Sequence, residues 1–158
     1  MFVPQFITLE DLVPRLGRNN RLMALDLGTK TIGLAVTDAE RHMASPLKTL
    51  ARGKFGVNAA ELLRLAERYQ VACFVLGMPL NMDGSSGPRA QATRAFARNL
   101  GSLTTIPILF HDERLSTFAA EDSMRAGGLS VKKRAATIDA AAAAIILDDC
   151  LRALRART

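Results

Sequence analysis

The sequence predicts an α/β domain built on a mixed five-stranded sheet, three strands in an antiparallel meander and two parallel, flanked by helices. Three observations carry this prediction. Apolar segments separated by short polar turns mark strands at 22–27, 31–37 and 43–50, close enough in sequence to form a meander. Strands at 71–76 and 105–110 each follow a stretch of helical spacing, the pattern of parallel strands reached by crossovers. A long Ala-rich helix closes the chain at about 136–155.

Each element has its own reason. Residues 1–20 read as an N-terminal extension to a domain at 21–158 and are expected to pack on its surface; Thr8-Leu9-Glu10-Asp11 resembles a helix start that Pro14 then limits. In the first strand, alternation sets Ala24 and Asp26 on one face and Met23, Leu25 and Leu27 on the other. The third strand carries Pro46, which has no N–H for a ladder and predicts an edge position. Val57, Leu62, Leu65, Ala66 and Tyr69 recur at helical spacing over 57–69. The run Val71-Ala72-Cys73-Phe74-Val75-Leu76 is apolar throughout, as in a strand buried on both faces. A polar Gly/Pro/Asn/Asp loop at 77–88 leads into a helix at about 89–100. After the strand at 105–110, a helix at 117–126 ends at Gly127-Gly128.

Composition narrows the function classes. With 49% apolar residues the chain is no disordered segment, and no apolar run is long enough to span a membrane. Met1 to Glu10 carries no Lys or Arg, unlike a secretory signal, so the expected location is the cytoplasm. Cys73 and Cys150 form neither a disulfide framework nor a zinc spacing and read as small buried hydrophobes. The net charge of +6 favours polyanionic partners. Lys132-Lys133-Arg134, expected in a loop before the last helix, and the tail arginines Arg152, Arg155 and Arg157 concentrate that charge.

Four acids stand where apolar structure gives way: Asp26, Asp112, Glu113 and Asp139. Strand alternation puts Asp112 and Glu113 on opposite faces, so one of the two meets Asp26, and periodicity does not choose between them. Asp139 shares a helical stripe with Ala142, Ala143, Ile146 and Cys150, which turns it inward, and a helix starting near 136 places it in the first turn, where the dipole favours an anion. Asp148 and Asp149 read as surface acids. Two carboxylates about 4 Å apart repel by about 4 kcal/mol at an effective dielectric near 20. A divalent cation removes that conflict, and an all-oxygen ligand set favours magnesium or manganese. On a basic protein such a cluster points to metal-assisted phosphodiester hydrolysis. Taken singly, each acid also has an ordinary structural reading: Asp112 paired with Arg114 or Lys30, Asp139 as a helix-dipole acid.

Four blocks resemble the YqgF/RuvX family of RNase H-like nucleases, described as Holliday-junction-resolvase-like and as pre-16S ribosomal RNA processing nucleases. They are Asp26-Leu27-Gly28-Thr29-Lys30-Thr31-Ile32-Gly33; Gly77-Met78-Pro79-Leu80-Asn81-Met82-Asp83-Gly84-Ser85; Asp112-Glu113-Arg114-Leu115-Ser116-Thr117; and Asp139 with its Ala-rich helix up to Leu147. They run in the family's order over about 21–152. The resemblance implies an RNase H-like fold and a catalytic carboxylate triad for two divalent metals, Mg²⁺ or Mn²⁺, at Asp26, Glu113 and Asp139, with Asp112 as a further candidate ligand. Thr31 is a departure, since the family often has a basic residue there.

Candidate substrate contacts surround the acids. Lys30 in the hairpin turn and Arg114 beside Glu113 are suited to phosphate, with salt bridges to acids as the ordinary alternative. Ser116 or Thr117 reads as an N-cap that offers a phosphate contact at the same helix start. Asn81 and Ser85 lie in a loop able to approach a nucleic-acid backbone, and Lys132, Lys133 and Arg134 line the approach to Asp139. His111 is a candidate proton carrier, more naturally pointing away from the Glu113 side, and His42 has no evident partner. Aromatic residues make up 5% of the chain and Trp is missing, so backbone contacts outweigh base stacking.

The expected function is a metal-dependent nuclease acting on structured RNA or branched DNA, in pre-16S rRNA processing or Holliday-junction resolution, with a homodimer as an arrangement open to it. Two alternatives compete. An actin- or kinase-like phosphotransferase shares the Asp-x-Gly-Thr turn of Asp26 to Thr29, but such enzymes resemble two copies of a domain this size. A non-catalytic nucleic-acid-binding module gains nothing from clustered negative charge facing phosphate.

Overall fold

The computed structural model describes residues 5–112 and 131–157, with side chains of the last helix described from residue 138. Its strands are β1 (Arg21–Leu27), β2 (Thr31–Thr37), β3 (Ala44–Ala51), β4 (Val71–Met78) and β5 (Ile108–Asp112), in the order β3-β2-β1-β4-β5. β1–β2 and β2–β3 are antiparallel, while β1–β4 and β4–β5 are parallel. The mixed five-stranded sheet is therefore as predicted. Pro46 lies on the edge strand β3, next to a register shift between Leu34 and Ala35 of β2, where its missing N–H costs the ladder least.

Four helices accompany the sheet among the described residues: α1 (Leu9–Leu12), α2 (Phe55–Arg68), α3 (Pro88–Gly101) and α4 (Val131–Arg155). Alternation in the strands divides the core in two. Met23, Leu25, Leu27, Ile32, Leu34, Phe74 and Leu76 pack with Leu62, Leu65, Phe96 and Leu100 of α2 and α3. Leu22, Ala24, Ala35, Cys73, Val75 and Leu109 pack with Ala143, Ile146, Leu147, Cys150 and Leu151 of α4. Each fully buried Leu, Ile or Phe is worth about 1.5–3 kcal/mol over the same side chain in water. Small residues dominate where α4 crosses β1 and β2, which lets that helix lie close to the sheet. Both cysteines are buried, and burial pushes their thiols up, Cys150 to about 12.

Several boundaries differ from the sequence reading. β5 starts at Ile108 rather than 105, because Pro107 brings no N–H: its carbonyl accepts from Phe74, and Ile108 N–H donates to Gln5 O. His111 and Asp112 consequently sit inside the strand. α4 begins at Val131 rather than 136, so Lys132, Lys133 and Arg134 belong to its first turns and not to a loop. The N-terminal segment is not confined to the surface. Phe6 bridges Ile108 in parallel, its ring stacks on Phe110, and Leu12 is fully buried in the α4-side core. Thr8 caps α1 in a capping box with Asp11, and Pro14 sits in the 3₁₀ turn that follows. The helix expected at 117–126 lies outside the described residues. No helix among the described residues is long and apolar enough to cross a membrane.

Candidate active site

Asp26 is the next-to-last residue of β1 and is 9% exposed. It pairs with Gly33 of β2. Residues directly opposite each other in an antiparallel pair project to the same side, so Asp26 shares the α4 face of the sheet with Ala24, Gly33 and Ala35. A carboxylate this buried requires compensating donors or cations.

Gly33 is where α4 meets β2. A β-carbon on Gly33 would come within 2.1 Å of the Asp139 carbonyl oxygen and 2.4 Å of its carbonyl carbon. The helix backbone thus lies directly on the rung that holds Asp26. Two residues earlier on the same row of β2, Thr31 donates its hydroxyl to Asp139 Oδ2 at 2.5 Å. Backbone and side chain of Asp139 are both held from β2, and the carboxylate ends on the same side of the sheet as Asp26. Its inward stripe is as predicted: Ala142, Ala143, Ile146 and Cys150 are fully buried. Its place in the helix is not. With α4 starting at Val131, Asp139 lies more than two turns in, beyond the reach of the dipole at the helix start. Asp148 is also more than a surface acid, since its Oδ1 accepts from the Ala44 N–H at 3.2 Å and ties α4 to the start of β3.

On β5, Leu109 packs on the α4 side and Phe110 on the α2/α3 side. Alternation turns His111 toward α4 and Asp112 to the opposite face, away from Asp26. Burial pushes the His111 imidazole below its usual range, with Asp149 and Asp112 pulling the other way. Glu113, Arg114, Ser116 and Thr117 lie outside the described residues, as do the side chains of Lys132, Lys133 and Arg134.

The β1–β2 turn closes through Gly28 N–H to Thr31 O at 2.8 Å, with Lys30 exposed at its tip. The loop after β4 is tied to itself: Asn81 N–H donates to Ser85 O, Asn81 Nδ2 to Ser85 Oγ, and Ser85 Oγ to Asp83 Oδ1. Its polar groups hold the loop's shape while staying exposed.

Two arginines absent from the sequence reading grip the turn after Asp26. Arg52 Nη1 donates to Gly28 O at 2.6 Å and its guanidinium lies 5.6 Å from the Phe96 ring centroid. Arg89 Nη2 donates to Leu27 O at 3.2 Å. They stand 24 and 62 residues from their acceptors, and no local pattern announces such pairs. Thr31 was visible in the sequence as a departure from a family pattern, and its i,i+2 relation to Gly33 places it on the site's row.

Among the described residues no group of three or more His, Cys, Asp or Glu side chains is gathered as for a metal ion. Two of the three expected acids, Asp26 and Asp139, do share one face. Both are hard oxygen donors, and Asp26 is buried, which suits a divalent cation of the magnesium class.

The fold is that of the RNase H-like class. Two solved structures share the architecture: T. thermophilus RuvC in complex with a Holliday junction substrate (15% identity, TM-score 0.51, covering 87% of this chain and 95% of that one) and the yeast mitochondrial Holliday junction resolvase (12% identity, TM-score 0.53, covering 93% and 84%). A family model described as "RuvX: Holliday junction resolvase" matches residues 20–153. Relatives include proteins named "Putative pre-16S rRNA nuclease" from Rhodobacter capsulatus (54% identical, covering 90% of each chain) and Beijerinckia indica (52% identical, covering 92% of this chain and 88% of that one). The chain belongs to the RuvX family.

Proposed function

We propose that this nuclease hydrolyses phosphodiester bonds in structured nucleic acid with the aid of Mg²⁺ or Mn²⁺, and that its substrate is the pre-16S ribosomal RNA for which its relatives are named. The observation that carries the reading is that Asp26 and Asp139 lie on one face of the sheet, with the Asp139 carbonyl against Gly33, the ladder partner of Asp26. Glu113, from the third family block, completes the proposed set. Such a metal supplies an acidified water for attack and charge stabilisation for the leaving oxygen.

The chain's own residues do the rest. Asp26 offers a carboxylate from a rigid strand, and Asp139 offers the oxygen not taken by Thr31. Arg52 and Arg89 hold the turn that follows Asp26, so the carboxylate sits at the end of a braced hairpin. Lys30, Arg114, Lys132, Lys133 and Arg134 supply cations for the backbone phosphates, and Asn81, Ser85, Ser116 and Thr117 supply hydrogen-bonding groups. Ribosomal RNA maturation would put this activity in the cytoplasm. Residues 21–158 form the proposed nuclease domain, with 1–20 as an extension of which Phe6 and Leu12 pack on the sheet.

Cleavage of branched DNA is a second reading, favoured by the family description and by the resolvase fold. One experiment separates the two: the protein is incubated with a pre-16S rRNA fragment carrying its flanking ends, and with a four-way DNA junction, in Mg²⁺, Mn²⁺ or EDTA. Metal-dependent cutting of the RNA is the expected result. Undiminished cleavage in excess EDTA overturns the metal reading, and cutting of the junction alone reverses the order of the substrates.

A further inference from the structure

We infer that Thr31 is a positioning residue for Asp139, its hydroxyl setting the orientation in which that carboxylate meets a divalent cation. The inference rests on the reading of Asp139 as a metal ligand.

The geometry is specific. An ionised carboxylate only accepts, so between Thr31 Oγ1 and Asp139 Oδ2, 2.5 Å apart, the hydroxyl is the donor. That commits Oδ2 to the sheet and leaves Oδ1 for a cation. Thr31 is well suited to the task. It opens β2, where the ladder holds its backbone to Ala51 of β3, and its β-branched side chain has few χ1 choices. Asp139 is held independently, because its carbonyl lies against Gly33. With the backbone fixed there, the main remaining freedom lies in the Asp139 side-chain torsions, and the terminal χ2 of an aspartate is intrinsically broad. The hydroxyl removes that freedom. A side chain that orients a metal ligand in this way typically accounts for about 10- to 100-fold in metal affinity or activity.

The two strand residues divide the work. Gly33 sets how close α4 comes to the sheet, and Thr31 sets how the acid is turned once it is there. The hydroxyl serves this role through hydrogen bonding and not through volume, so valine, of nearly the same shape, should fail where serine succeeds.

The test compares Thr31→Val, Thr31→Ala, Thr31→Ser and Asp139→Asn in the full chain. Mn²⁺ binding is read by calorimetric titration without substrate, melting temperature without metal, and kcat and KM on a cleavable nucleic acid. Thr31→Val and Thr31→Ala should bind Mn²⁺ about 10-fold or more weakly, with kcat reduced and KM nearly unchanged. Thr31→Ser should restore both. Either of the first two variants suffices should the other fail to fold. Wild-type Mn²⁺ affinity in Thr31→Val or Thr31→Ala, or a Thr31→Ser variant as weak as Thr31→Val, overturns the inference while Asp139→Asn remains impaired. Unchanged Mn²⁺ affinity in Asp139→Asn instead overturns the underlying reading of Asp139 as a ligand.

Discussion

Gly33 and Asp139 touch backbone to backbone: a β-carbon on the glycine would lie 2.1 Å from the aspartate's carbonyl oxygen. Gly33 also pairs with Asp26 across the β1–β2 ladder. One residue without a side chain thus brings two acids, far apart in sequence, to the same rung.

Replacing Gly33 with alanine should therefore separate them. The obstruction is helix backbone and cannot rotate away, so α4 must shift. Overpacking of this kind costs about 1–3 kcal/mol. The Gly33→Ala variant should melt several degrees lower and lose most of its cleavage activity even at temperatures where it is fully folded. Retention of wild-type melting temperature and rate would mean that the helix yields without consequence.

Asp26→Asn keeps the side chain's shape and removes its charge. Turnover should fall by several orders of magnitude, because a neutral amide is a poor ligand for the proposed cation. Nucleic-acid binding should persist or tighten slightly, since a negative charge facing phosphate is gone. Cleavage, binding and melting temperature on this variant decide the matter: near-normal turnover in a well-folded protein would remove Asp26 from the site.

Charge reversal of Lys132, Lys133 and Arg134 tests the substrate path. Salt dependence of binding to duplex DNA should flatten by about 0.9 in log–log slope for each phosphate that these side chains no longer neutralise. The effect should be independent of sequence. An unchanged slope would assign these residues to a solvated helix end.

Glu61 gives a pH test remote from the proposed chemistry. The Arg64 guanidinium, then Lys48, holds its carboxyl down to about 2, from an ordinary 4.5. A depressed folded-state value stabilises the fold above the ordinary one, and that contribution is lost as pH falls from about 4.5 towards 2. The difference in melting temperature between the wild type and Glu61→Gln should be greatest above about pH 5 and shrink steadily in acid. It should be small throughout and weaken with salt, because the triad lies at the surface. A difference that grows on acidification would contradict this assignment.

Much of this protein is written in local pattern. Period-two alternation alone put Asp26 on the face opposite Met23, Leu25 and Leu27, and Pro46 alone marked β3 as an edge, because both follow from the geometry of one strand. The apolar stripe of α4 turned Asp139 inward for the same reason. Alternation also separated Asp112 from its neighbour, but it could not say which face α4 would cover. That choice belongs to the tertiary structure, which lays α4 over the Asp26 side through the close approach at Gly33. The late start of β5 depends likewise on partners distant in sequence, such as Gln5 for Ile108. The hydroxyl of Thr31 finds its carboxylate 108 residues away, and Arg52 and Arg89 find their carbonyls across the fold. Periodicity records which side of its own element a residue faces, whereas what it meets there depends on how separate elements pack, and only the folded chain contains that.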